Sequence, residues 1–176
     1  MAQSLYQSIL QDDFSKMNPI LQQIYGPVSN LEAHGIMDIE YGKGLLVKLA
    51  NKLLRMPSAG KRVKVELRIN RSSDREIWAR KFNQHVLKTE QFHRNGYLIE
   101  KVGSIMIGFK LSVKDGGLEF RQDFACIHNI RLPKVMSINT TAYSKGEGDG
   151  WYVNVELTSP VLGLLLRYYG LIKLEK

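Results

Sequence analysis

The sequence holds one cysteine in 176 residues, Cys126, so no disulfide can form within the chain and a reducing compartment is expected. No apolar run approaches the ~20 residues that a membrane-crossing helix needs. The opening stretch, MAQSLYQSILQDDF, lacks a basic start and a continuous apolar core, so it does not read as a secretory signal. Acidic residues are few, with 17 Asp and Glu against 25 Lys and Arg. There is no internal repeat and no low-complexity linker. With 44% hydrophobic and 24% charged residues, the composition excludes a disordered chain and fits an ordinary globular fold. The expectation is a single domain over 1–176, soluble and cytoplasmic, with a helix-rich part at 1–60 and an antiparallel β part at 61–176.

Motifs that dictate a reaction are missing too. The four histidines, His34, His85, His93 and His128, form no HxH or HExxH arrangement, so nothing points to a metal. Cys126 and His128 would share a face if their segment were a strand, a geometry open to a nucleophile and base, but a merely buried cysteine explains the pair as well. Gly42-Lys43-Gly44 precedes a helix without the spacing of a phosphate loop or a dinucleotide fingerprint. Asp123, Glu90 and Glu100 are scattered among bases, as in salt bridges. Neither a catalytic residue nor a cofactor is assigned.

The charge is unevenly placed. Residues 43–81 carry twelve Lys and Arg against three acids, a surplus larger than the +8 of the whole chain. Such a region suits an anionic partner or is simply a solvated face. Nucleic acid is disfavoured, because only Trp78 and Phe82 interleave with the bases.

Hydrophobic periodicity supplies the architecture. Leu5, Ile9, Phe14, Met17, Leu21 and Ile24 predict two short helices broken at Asn18-Pro19. The stretch 31–41 reads as a first strand. GKGLLVKLANKLLRMPSAG (42–60) predicts a helix, with a stripe of Leu45, Leu46, Leu49 and Leu53 beside Lys48, Lys52 and Arg55. From residue 62 the period becomes two: Val63, Val65, Leu67 and Ile69 alternate with Lys64, Glu66 and Arg68. Asn95-Gly96 and KDGG (114–117) mark hairpins, with Ile105, Ile107, Phe109, Leu111 and Val113 facing inward. The closing stretch, SPVLGLLLRYYGLIKLEK, alternates as a strand paired with 151–158, with Leu164, Leu166 and Tyr168 inward. Its other face, Leu165, Tyr169 and Leu171, calls for a cover. Eight to ten antiparallel strands after N-terminal helices give an α+β fold with a large, strongly curled sheet or barrel.

Several segments together resemble a bacterial family known as a domain of unknown function. They are SLYQSILQDDFSKMNPILQQIYG, GKGLLVKLANKLLRMPSAG, IEKVGSIMIGFKLSVKDGGLEF, IRLPKV and SPVLGLLLRYYGLIKLE, and they cover nearly the whole chain. That family occurs alone or fused behind saccharopine-dehydrogenase-like, NAD(P)-binding oxidoreductase domains. The resemblance implies an accessory or substrate-handling role, with an oxidoreductase as a partner. It transfers no catalytic residue.

The leading expectation is a non-catalytic module that binds an apolar or amphiphilic small molecule in a β-sheet cavity. Its candidate lining is Leu45, Leu49, Leu53, Phe109, Trp151, Leu166 and Tyr168. The alternative is a peripheral membrane or partner-docking domain, with Lys43, Lys48, Lys52 and Arg55 meeting an anionic surface. An enzyme of isomerase or cyclase type would need groups such as Tyr97, His128 and Tyr168 to converge.

Overall fold

The structure, a computed structural model, describes residues 3–27, 30–54, 56–72, 74–135 and 137–175. Helix α1 (Leu5–Leu10) opens with a capping box: Ser4 Oγ accepts from Gln7 N at 3.1 Å, and Gln7 Oε1 accepts from Ser4 N at 2.8 Å. A 3-10 segment (Gln11–Lys16) follows, and then α2 (Pro19–Tyr25), capped by Asn18 with proline at its first position. The expected break at Asn18-Pro19 is therefore present.

Strands β1 (Asn30–Tyr41) and β2 (Gly60–Arg71) flank α3 (Leu45–Leu53). Then come β3 (Arg75–Phe82), β4 (His85–Arg94), β5 (Tyr97–Val102), β6 (Ile105–Lys114) and β7 (Gly117–Ile127). The two-residue β8 (Ile130–Arg131), β9 (Asn139–Glu147), β10 (Gly150–Ser159) and β11 (Gly163–Leu174) complete the series. The order is β6-β5-β4-β3-β2-β1-β11-β10-β9-β7-β8, and β6 also pairs with β7. All these pairings are antiparallel, so ten strands close into a ring and β8 merely extends the rim of β7. Closure removes the exposed edges that an open sheet of this size would carry.

Turn chemistry sets the register. Asn95-Gly96 and Asp115-Gly116 all have φ between 50° and 78°, as a type I′ hairpin requires. Register shifts beside Ile39, Phe109 and Thr158 add curl. The alternation read from the sequence holds: Val63, Val65, Leu67 and Ile69 are buried on the inner face of β2, as are Leu166, Tyr168 and Ile172 on β11.

One end of the barrel is stoppered by α1, the 3-10 segment and α2. Tyr6, Leu21, Ile24 and Tyr25 are buried against Leu31, Ile69, Leu118 and Trp151 of the walls. Asn18 N donates to Gly116 O at 2.8 Å, and Arg71 Nη2 donates to Ile24 O, meeting the carbonyls that end α2. Helix α3 lies at the opposite end, over the start of β11.

Candidate functional site

The two ends of the barrel interior differ. At the stoppered end the polar groups are spoken for. Tyr6 Oη donates to Gln91 Oε1 at 2.7 Å, and Tyr25 Oη shares a 3.0 Å bond with Ser144 Oγ. Glu76 accepts from Arg71 Nε at 3.0 Å and from Trp78 Nε1 at 2.9 Å. Burial lifts the Glu76 carboxyl above its usual range, while Arg71 and the Trp78 N–H pull the other way. Tyr6, Tyr25, Trp78 and Phe120 pack ring to ring, with the Tyr6 and Tyr25 centroids 4.5 Å apart. Burial raises the Tyr6 phenol well above its usual value and pushes Tyr25 up to about 12.

Toward the α3 end the inner face is more exposed. Tyr41, Leu87, Ile107 and Leu157 point into the ring by strand alternation, yet each is only partly buried. Between them and the stopper sits Arg80 on β3, with its partner Glu100 on β5, the other neighbour of β4; their side chains keep 17% and 18% of their surface exposed. Arg80 Nη1 donates to Thr89 Oγ1 at 3.0 Å and reaches Glu100 Oε1 at 3.5 Å, and the guanidinium lies 5.0 Å from the Trp78 ring centroid. Tyr168 faces the same space, its ring edge-on to Phe82 at 5.5 Å. Burial raises its phenol above the usual value; Arg80 opposes the rise and Glu100 adds to it. His85 closes the rim, with Nε2 buried and without a partner among the described residues. A ring of ten strands is wider than the eight whose side chains fill a barrel.

The candidate residues divide between inside and outside. Phe109, Trp151, Leu166 and Tyr168 all stand in the barrel core. Leu45 and Leu49 do not: with Leu46, they project from α3 at 82%, 63% and 65% exposure, while Val47 and Asn51 face the barrel. The leucine stripe exists, but the helix is turned to present its opposite side. The side chain of Leu53, and Arg55 altogether, lie outside the described residues. Leu165 on the outer face of β11 has its cover, since Asn51 Nδ2 donates to its carbonyl at 2.7 Å.

Tyr97, His128 and Tyr168 do not converge. Tyr97 is on the outer surface, bonded to Asp123 Oδ2 at 3.1 Å and packed edge-on against Phe124. His128 sits in a left-handed turn, φ 48°, just past β7. That turn also breaks the alternation that would have put it beside Cys126. Glu100 reads from the sequence only as a salt-bridge carboxylate, which it is; Arg80 and Thr89 do not stand out as site residues, although an arginine between Trp78 and Phe82 on an inward-facing period is visible in REIWARKF.

The basic stretch resolves on folding. Lys61 pairs with Asp38 and Glu40, Arg68 with Glu32, Arg75 with Glu90 and Lys81 with Glu66, all across strands. Lys43, Lys48 and Lys52 at α3 form no ion pair with an acid among the described residues, and neither do Arg62 and Lys64 on β2. No helix among the described residues is long and apolar enough to cross a membrane.

No curated protein matches the chain. Among solved structures, the crystal structure of Rv2717c from M. tuberculosis is similar over 91% of this chain and 99% of that one, at 9% identity and a TM-score of 0.46. A family model matches residues 17–172, and the chain belongs to that family, described as Domain of unknown function (DUF4166).

Proposed function

We propose that the protein holds an apolar or amphiphilic small molecule inside its barrel, with the α3 end as the mouth. The observation that carries this reading is the partly exposed inner lining at that end, Tyr41, Leu87, Ile107 and Leu157, beside the Arg80–Glu100 pair. Binding sites of this kind join a mostly apolar wall to a few directed polar groups. Two open surface grooves, one along Gln3–Ser15 and one between β7 and residues 131–139, are lined by more polar than apolar residues. The reading is of a binding module that handles its ligand for a separate enzyme, an oxidoreductase being the partner class that fits an accessory role. Native mass spectrometry of the purified protein, followed by solvent extraction, tests it. A retained lipophilic mass, or uptake of added decanol, is expected; a protein that neither carries nor takes up such a molecule overturns the reading.

One observation favours a second role beside the first. Leu45, Leu46 and Leu49 point away from the barrel with Lys43, Lys48 and Lys52 around them, and Val161, 77% exposed, lies in the β10–β11 turn at the same end. Outward leucines ringed by unpaired lysines fit the interface of an anionic phospholipid surface. The mouth would then face the lipid, and a lipophilic ligand would pass between the two without crossing water.

A further inference from the structure

We propose that Arg80 and Glu100 form the seat for the ligand's head group, and that this seat selects an uncharged amphiphile whose head both accepts and donates hydrogen bonds, such as a long-chain primary amide. The inference rests on the barrel-binding reading and narrows it to a ligand class.

The donors and acceptors left over define the head. Arg80 uses only Nη1 toward Thr89 and Glu100; Nε and Nη2 have no partner among the described residues and are not sealed from solvent. The Tyr168 hydroxyl has no partner among them either, and Glu100 keeps Oε2 free to accept. A guanidinium presents its donors in a planar fork, which suits a carbonyl oxygen. An amide carbonyl would take Arg80 and Tyr168, while its NH2 would reach Glu100. The tail would run toward the mouth along Leu87, Ile107 and Leu157.

Charge separates this class from the more obvious fatty acid. Arg80 is already neutralised by Glu100, and the other charged pair on the inner face among the described residues, Arg71–Glu76 at 3.0 Å, is internally balanced as well. A carboxylate would leave one uncompensated negative charge in the barrel, and an ammonium would leave one positive. Either carries a desolvation penalty that a balanced site does not repay. The lysines of α3 lie outside the barrel and attract anions to the mouth; they do not change the balance within.

The experiment compares decanamide, decanoate and decylammonium by isothermal titration calorimetry. For the native protein, decanamide should bind at least about tenfold more tightly than either charged chain, a difference of about 1.4 kcal/mol. Glu100→Gln leaves the guanidinium unbalanced and should move the preference to decanoate; Arg80→Gln should move it to decylammonium. Because each single variant strands a charge, the double variant Arg80→Met/Glu100→Leu serves as the folded control, checked by circular dichroism, and should lose all head-group preference. Decanoate binding the native protein as tightly as decanamide, or a preference unmoved in Glu100→Gln, overturns the proposal. Equal binding of all three chains overturns the seat and leaves the barrel reading intact. No binding of any chain removes both.

Discussion

Asn51 donates from Nδ2 to the main-chain oxygen of Leu165 at 2.7 Å, tying α3 to the outside of the last strand. The tie is a narrow one. Among the described side chains of the helix only Val47 is buried beside Asn51, and Asn51 Oδ1 finds no partner among the described residues. The helix also begins without a side-chain cap, at Gly44 with φ 108°. Asn51→Ala should therefore lower stability by only about 1 kcal/mol. Its larger effect should fall on amide hydrogen exchange, with residues 45–53 losing protection while the walls keep theirs. Equal loss throughout the barrel would show that α3 is not a separately opening unit.

The outward leucines and the inward ones should respond oppositely. Leu45→Asp/Leu49→Asp should change unfolding free energy by no more than about 0.5 kcal/mol per site, because neither side chain is packed. The same variant should lose pelleting with phosphatidylglycerol vesicles at low salt. Leu166→Ala, at a fully buried wall position, should cost about 2–5 kcal/mol. A native protein that never pellets with those vesicles removes the membrane role.

Alkaline stability should report on the stopper. Tyr25, raised from 10.0 to about 12 chiefly by burial, binds its proton more tightly folded than unfolded. Its contribution is complete below pH 10.0 and is lost as pH climbs toward 12. The loss from this one phenol amounts to about 3 kcal/mol. Tyr6, shifted in the same direction, should add to it. Tyr25→Phe should flatten the fall in stability across that window, and Tyr6→Phe/Tyr25→Phe should flatten it further. A wild-type slope in both variants would show that the stopper phenols do not govern it.

Gly42 marks the junction of β1 with α3. A Cβ there would lie 1.7 Å from the carbonyl oxygen of Leu164, and Gly42 N donates to Leu165 O at 3.2 Å. Gly42→Ala must therefore part β1 from β11 at the mouth, and a loss of about 2 kcal/mol or more in urea denaturation is expected. Gly148→Ala has φ 59° but no atom within 4 Å of the added carbon, so its cost should be confined to backbone strain of about 1 kcal/mol.

The walls were legible because alternation is written one residue at a time. Val63 to Ile69 and Leu166 to Ile172 needed only their own neighbours to declare a face. Asn95-Gly96 and Asp115-Gly116 likewise announced their turns locally. Closure was foreseeable only as an alternative, since it depends on β1 pairing with β11, Ala33 opposite Leu174, and no local pattern declares a contact between strands so far apart in the chain. The rotation of α3 was illegible for a different reason. Its leucines make the stronger stripe, and a helix is ordinarily expected to bury that stripe. Here Val47 and a buried amide hold the inner side. The Arg80–Glu100 pairing stayed hidden because each, read alone, is a charge on an alternating strand; only the strand order, which sets β3 and β5 on either side of β4, reveals them as partners.

On the proposed reading, the aromatic stopper made by Tyr6, Tyr25, Trp78 and Phe120 closes one end of the vessel, and a ligand taken up at the α3 end leaves by the same path, so uptake and release share one barrier. By microscopic reversibility, a change that alters only how often the door stands open multiplies both rates by the same factor. Affinity would then be written in the walls and residence time in the helix, two properties that substitutions at Arg80 and at Asn51 can tune separately.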